Sequence, residues 1–238
     1  MSQLRQVTTT SSGHIDPSFK LTWADFVQVV LEVTVHAYFE MRTAVAVERG
    51  WEENTFTINL AEYLRPLAFD RNLRVIPRPK VHTDAMKSGK QQTIEAKEID
   101  LQLFGTWERD YDKRHFVWEA KRVGDKRLAH SYSNLNSEYV NEAIYRFIQR
   151  DYAGELDDAG ILGYVLDGKV ATIVDDINQS MGRIQKNPAL PDSNHLCLAP
   201  PLKAFGDIYH STHIREDSST IQLHHLFLTF DFFDSIPK

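Results

Sequence analysis

Cysteine is nearly absent from the sequence, because Cys197 is the only one among 238 residues. A single cysteine cannot form an internal disulfide, and it cannot build a zinc site that needs several thiolates. The paucity of cysteine suits a reducing compartment, so a cytoplasmic location is the expectation. Redox chemistry that depends on a Cys-x-x-Cys pair is excluded on the same ground.

Long apolar runs are also missing. No segment approaches the roughly 20 apolar residues that a membrane span needs, so no membrane partner is expected. Residues 1–20 have no apolar signal core; they are rich in Thr and Ser and are expected to be a disordered tail. The hydrophobic share of 42% predicts that residues 21–238 form a single α/β domain with additional C-terminal strands.

A positive net charge is lacking as well, because the formal charge is -6. Proteins that bind nucleic acid non-specifically are usually basic, since neutralisation of phosphates drives their affinity. The bulk charge argues against such a protein, but it hides local patches. Four basic residues form the best candidate for a phosphate-binding patch: Lys121, Arg122, Lys126 and Arg127.

Signatures of several enzyme classes are absent, including a Walker loop, a Gly-rich dinucleotide turn and a Ser-His-Asp order. Four histidines, His210, His213, His224 and His225, fall in predicted C-terminal strands. They could form a metal cluster, but such spacing in strands is more typical of packing or surface positions.

Apolar periodicity predicts alternating helices and strands. A first helix is expected to begin near Thr22, because Thr22 and Asp25 have the spacing of a capping box. Three strands follow the second helix and could form a β-meander. The predicted helices cover 22–50, 54–67, 134–152 and 170–184, and the predicted strands cover 73–77, 99–104, 116–121, 160–166, 207–214 and 221–230.

Two short segments carry the most informative chemistry. Ile99-Asp100-Leu101 precedes Glu119-Ala120-Lys121, and side chains in a strand alternate between faces. Glu119 and Lys121 therefore share a face, and Asp100 joins them if the two strands pair. Neighbouring carboxylates repel each other, and a hard cation such as Mg²⁺ resolves that repulsion. Lys121 could then orient or deprotonate an attacking water and neutralise charge on a phosphate.

A simpler interpretation of Glu-x-Lys is a solvated strand face with a weak ion pair. The apolar surroundings favour a site instead. Asp100 lies between Ile99 and Leu101, and the Glu-x-Lys segment follows Phe-Val-Trp. Charged groups embedded among such side chains are seldom there only to be solvated.

The order of helix, strand, Ile-Asp-Leu strand, Glu-x-Lys strand, helix and strand resembles the core of the PD-(D/E)XK nucleases, the restriction-endonuclease-like superfamily. The resemblance covers roughly residues 50–170. It implies a mixed central β-sheet flanked by helices. It also implies Mg²⁺, or Mn²⁺ in its place, bound by Asp100, Glu119 and the backbone carbonyl of Ala120, with Lys121 near the attacked phosphate. The proline of the motif is absent, because Ile99 precedes Asp100.

Many members of that superfamily also place a glutamate of an early helix at the metal. Glu32, Glu40, Glu53 and Glu62 are the candidates, and Glu53 is preferred as a catalytic and metal-binding residue. The alternative is that Glu53 only complements the dipole of its helix. On the helix after Glu-x-Lys, Arg146 is either a phosphate contact or a surface charge.

The resemblance extends to bacterial restriction and phage-defence nucleases. The expected function is therefore that of a metal-dependent endonuclease that hydrolyses phosphodiester bonds, of DNA in particular, in an antiviral defence or restriction system. A homodimer or a multi-protein defence complex is expected, because cutting both strands needs two sites. One alternative is a catalytically inactive nuclease-fold subunit that binds a partner protein or nucleic acid. Another is an interaction protein in which Glu-x-Lys is incidental.

Overall fold

The computed structural model describes residues 22–70, 75–81, 98–105, 115–184, 186 and 189–232. The polar tail predicted over residues 1–20 lies outside these ranges. Within the described ranges, no helix is long and apolar enough to cross a membrane.

The described strands form one mixed sheet with the order β1-β2-β3-β4-β7-β6-β5. The β-meander expected from the sequence is confirmed, since β1, β2 and β3 pair antiparallel. β4 lies parallel to both β3 and β7, and β5 and β6 extend the sheet antiparallel beyond β7. The strands are β1 (Val75–Val81), β2 (Ile99–Gly105), β3 (His115–Gly124), β4 (Asp158–Asp167), β5 (Cys197–Leu198), β6 (Ile208–Ile214) and β7 (Thr220–Thr229).

Helices cover both faces of this sheet. On one face, Phe56 and Leu60 of the second helix pack in a core that includes Trp118 and Tyr164. On the other face, the helices that follow β3 and β4 pack in a core that includes Val117, Ile161 and Phe227. The predicted α/β class with a mixed central sheet is thus confirmed. The helices are α1 (Trp23–Ala44), α2 (Glu53–Asp70), α3 (Tyr132–Glu138), a π-helical segment (Tyr139–Ile144), α4 (Tyr145–Ile148) and α5 (Val170–Arg183).

The helix predicted over 134–152 ends earlier than expected. α3, the π-helical segment and α4 run on from one another, but α4 stops at Ile148. Arg150 and Ala153 then adopt positive φ angles of 63° and 52°, which an α-helix cannot contain. The prediction was wrong for residues 149–152, because apolar periodicity does not register a left-handed turn.

Gly160 fixes how β3 lies against β4. Gly160 pairs with Trp118 across the two parallel strands. A Cβ atom at this position would lie 2.1 Å from Cζ3 of Trp118, so the indole ring occupies the space that a side chain would need. Trp118 thereby points to one face of β3, and Glu119 is left on the opposite face.

The capping box predicted at the start of α1 is present. Thr22 Oγ1 accepts a hydrogen bond from the Asp25 amide at 3.2 Å, and Asp25 Oδ2 accepts one from the Thr22 amide at 3.0 Å. We expect Thr22→Ala to lower the free energy of unfolding by about 1 kcal/mol in urea denaturation. Thr43→Ala, in the last turn of the same helix, is the control. Equal losses in the two variants would contradict a specific role for the cap.

Candidate active site

Asp100 and Glu119 come together through the register of β2 and β3. Leu101 pairs with Trp118 and Gln102 with Val117, so one further step puts Asp100 opposite Glu119. A hydrogen bond fixes this arrangement, since the Ala120 amide donates to Asp100 Oδ2 at 2.8 Å. The sequence predicted that Asp100 lies beside Glu119 only if their strands pair, and the structure brings the two residues together.

These two carboxylates lie in an open cleft of about 380 Å³. Four residues expected at the site line this cleft together: Glu53, Asp100, Glu119 and Lys121. Ala120, whose carbonyl was expected to bind metal, lines it as well. The cleft also contains Lys80, Tyr152 and Arg146, of which the first two were not predicted as site residues.

Glu119 is the most deeply buried acid of the cleft, with 1% of its surface exposed. Its Oε1 accepts hydrogen bonds from Lys121 Nζ at 2.9 Å and from Arg146 Nη1 at 2.8 Å. Its Oε2 is buried and has no partner among the described residues. Burial, reinforced by the charge of Asp100, raises the pKa of Glu119 to about 8, although Lys121 and Arg146 act to lower it. This carboxyl group thus has one unused oxygen and is costly to ionise without an additional cation.

Asp100 is held by two donors. Lys80 Nζ donates to its Oδ1 at 2.6 Å, and the Ala120 amide donates to its Oδ2. Sequence analysis missed Lys80, because β1 was expected to end at residue 77, whereas it continues to Val81. If the alternation of β1 is continued as far as residue 80, the predicted meander brings Lys80 towards Asp100.

Arg146 belongs to the interior of the cleft. Besides its bond to Glu119, its guanidinium donates to Glu142 Oε2 at 2.6 Å and to the Tyr152 hydroxyl at 3.1 Å. The interpretation of Arg146 as a surface charge was therefore wrong, since its side chain is 19% exposed and pairs with the buried Glu119. Tyr152 in turn donates to the Glu98 carbonyl at 3.0 Å, which ties the loop after α4 to the residue that precedes β2.

Glu53 begins α2 and faces the cleft, but its nearest partner is basic. Its Oε1 accepts 3.4 Å hydrogen bonds from both the amide and the Nε of Arg122. Arg122 also forms an ion pair with Glu52 at 2.8 Å. The other early-helix candidates, Glu32, Glu40 and Glu62, do not line the cleft and contact Gln28, His36 and Arg65 instead.

The basic run after Glu-x-Lys is largely engaged in internal ion pairs. Lys126 pairs with the buried Asp176, and Arg127 Nη2 donates to Asp125 Oδ2 at 2.6 Å. Neither residue lines the cleft. These carboxylates offset the positive charge that follows Lys121 along the chain, and the expected phosphate-binding patch stays a prediction.

The oxygen donors of the cleft fit Mg²⁺ as a two-carboxylate site. Mg²⁺ commonly binds proteins through one or two carboxylates and completes its shell with water and phosphate. Asp100 and Glu119 supply these groups, and the unpartnered Oε2 of Glu119 is a free ligand atom. Glu53 does not add a third carboxylate ligand, since no group of three or more His, Cys, Asp or Glu among the described residues is arranged so that it could hold a metal ion.

The C-terminal histidines pack rather than cluster around a metal. The Ser211 hydroxyl lies 2.8 Å from Nε2 of both His213 and His225. The other nitrogen of His225 lies 2.8 Å from the Tyr139 hydroxyl. His224 is separate and contacts Asp158 Oδ1 at 2.9 Å. Burial lowers the pKa of His213 to about 4 and that of His225 well below its usual value, so both rings are neutral in the fold.

Comparisons with family models, with curated proteins and with solved structures gave no match to this chain. The resemblance to PD-(D/E)XK nucleases therefore stays a prediction.

Proposed function

We propose that this protein is a Mg²⁺-dependent nuclease that hydrolyses phosphodiester bonds, with DNA as its substrate. One observation carries the proposal: Asp100, Glu119 and Lys121 meet in a single open cleft. Two adjacent carboxylates, one of them almost fully buried, cost stability unless cations compensate their charge. Binding of a divalent cation at a phosphate is the use that best fits their chemistry.

The arrangement of elements around the cleft supports a restriction-endonuclease-like core. α2 precedes the β1-β2-β3 meander, and α3 to α4 lead from β3 to the parallel strand β4. This is the order that the resemblance implies. The two carboxylates lie on β2 and β3, and residues of α2 and α4 also line the cleft.

A bound Mg²⁺ would lower the pKa of a coordinated water and draw negative charge from the phosphate. Asp100 and Glu119 would hold that ion through carboxylate oxygens. Lys121 Nζ, 2.9 Å from Glu119, is close enough to donate to the attacking water or to a phosphate oxygen. Arg146 donates to the same Oε1 of Glu119 and adds a second permanent positive charge.

DNA is the proposed substrate on the basis of the sequence resemblance, and three cations accompany the four carboxyl groups of the cleft. Lys80, Lys121 and Arg146 all line it. A phosphodiester backbone is the anion that such a cleft would accept, and two copies of the chain would be needed to cut both strands. A setting in bacterial antiviral defence or restriction is part of the proposal and rests on the sequence resemblance alone.

Plasmid cleavage tests the proposal directly. The purified chain is incubated with supercoiled plasmid and either Mg²⁺, Mn²⁺ or EDTA. We expect nicked or linear product with Mg²⁺ or Mn²⁺ and none with EDTA. The absence of product with both metals, over a range of enzyme concentrations and with single-stranded DNA as well, would refute nuclease activity on DNA.

A second candidate function is that of a catalytically inactive nuclease-fold subunit that binds nucleic acid. It is favoured by one observation: both carboxylates already have cationic partners, Lys80 for Asp100 and Lys121 with Arg146 for Glu119. A cleft that is neutralised in this way could bind phosphate without metal. This function predicts salt-sensitive binding of labelled DNA in EDTA and no cleavage under any metal.

A further inference from the structure

The Lys80 ammonium contacts the carboxylate oxygen of Asp100 that a divalent ion would otherwise be able to bind. Its ammonium lies 2.6 Å from Asp100 Oδ1, and the side chain of Asp100 is only 9% exposed. The other oxygen of Asp100 is taken by the Ala120 amide. Both oxygens of this carboxylate are therefore satisfied by the chain itself.

An ammonium and a divalent cation cannot share one carboxylate oxygen at contact distance without strong repulsion. Little water is available to screen the two charges, because Asp100 is buried. Metal binding at Asp100 therefore requires the Lys80 ammonium to leave Oδ1. Glu119 differs in this respect, since its Oε2 is free while Lys121 and Arg146 both bond to Oε1.

We propose that Lys80 is a built-in counter-ion that competes with the divalent metal for Asp100. The inference rests on the proposed function and adds a regulatory element to it: the free cleft is neutralised by Lys80, and metal occupancy displaces that side chain. The consequence is a weaker affinity for metal than the two carboxylates alone would give. Catalytic competence then requires a metal concentration high enough to overcome the internal ion pair.

The backbone at Lys80 has a φ angle of 54°, in the left-handed region that residues other than glycine seldom adopt. The chain also provides a matched control, because Lys203 has the same φ of 54°. Lys203 pairs with Glu32 at 3.7 Å, outside the cleft, and is 60% exposed.

Calorimetric titration of the full chain with Mn²⁺, without DNA, tests this proposal. We expect Lys80→Met to bind Mn²⁺ about tenfold more tightly than the wild type, since a partly buried ion pair no longer opposes the metal. Lys203→Met is expected to match the wild type. In a double-mutant cycle, Lys80→Met is expected to bring no gain when Asp100→Asn is already present, because the competition is for Asp100.

Each alternative outcome has a distinct meaning. Equal affinities of wild type and Lys80→Met would overturn the role of Lys80 and leave the proposed metal site standing. A gain that persists with Asp100→Asn would also overturn it, since a general change of charge would then explain the effect. No Mn²⁺ binding by either protein would remove the proposed function together with this inference. Circular dichroism checks that Lys80→Met folds, and Lys80→Gln replaces it if it does not.

Discussion

Lys121→Met is expected to lower the rate constant for Mg²⁺-dependent DNA cleavage by about 10²- to 10³-fold, the range measured when one preorganised donor is removed from a transition state. The Lys121 side chain is 14% exposed, and its Nζ is held 2.9 Å from Glu119, so its position is fixed before substrate arrives. Negative charge increases on the phosphate as the bond breaks, and a fixed, largely buried ammonium stabilises that charge. Single-turnover cleavage of an end-labelled duplex gives the rate constant.

The control for this variant is Lys203→Met, which removes an equal charge outside the cleft. Lys121→Arg is a second comparison: it keeps the charge but changes the shape of the donor, and we expect it to recover only part of the rate. A rate for Lys121→Met within threefold of the wild type would remove Lys121 from the active site, whatever the activity of the protein. A loss explained by unfolding would appear as a lower melting temperature.

Acidification is expected to destabilise the protein by about 3 kcal/mol between pH 7 and pH 4 through His213 alone. Burial lowers the pKa of His213 to about 4 from its ordinary 6.5, and its surface is 0% exposed. Above pH 6.5 the ring is neutral in both the folded and the unfolded chain, so the full stability is present. Below pH 6.5 the unfolded chain takes up a proton that the folded chain excludes. The unfolding free energy therefore falls until the pH reaches the folded pKa.

Urea denaturation at pH 7 and pH 4 measures this effect, with His213→Leu as the decisive variant. Leucine is of similar size and cannot titrate, so we expect the fall in unfolding free energy to be smaller by about 3 kcal/mol. His36→Gln is the control, because His36 is partly exposed beside Glu40. An identical pH dependence in wild type and His213→Leu would contradict a neutral buried His213. His225 changes stability in the same direction, since its pKa is also lowered by burial.

A comparison of two polar regions of the interior illustrates different solutions to burial. Ser211, His213 and His225 are neutral groups joined by hydrogen bonds, and they lie in the sheet without contact to the cleft. In the cleft, Asp100 and Glu119 are carboxyl groups that depend on three cations of the chain. The first arrangement needs no counter-ion at neutral pH, because its groups are uncharged. The second leaves the pKa of Glu119 raised to about 8, because burial outweighs the effect of the nearby cations.

Local patterns in the sequence determined the elements and one face of the site. The 3.6-residue period predicted α2, α5 and the start of α1, which ends at Ala44 and not at residue 50 as expected. The two-residue alternation of β3 predicted that Glu119 and Lys121 share a face. These features depend on residues a few positions apart, so the sequence alone reports them. Periodicity failed at residues 149–152, where backbone angles rather than apolar spacing end the helix.

Tertiary structure alone decided which charges meet. Asp100 reaches Glu119 only through the register of β2 and β3, and Lys80 reaches Asp100 only because β1 continues to Val81. Arg146 contacts Glu119 because its helix packs on the sheet, 27 positions along the chain. The same holds for the carboxylate that neutralises Lys126, since Asp176 lies in α5, 50 positions away. Such pairings depend on strand register and helix packing, which no short segment of the sequence encodes.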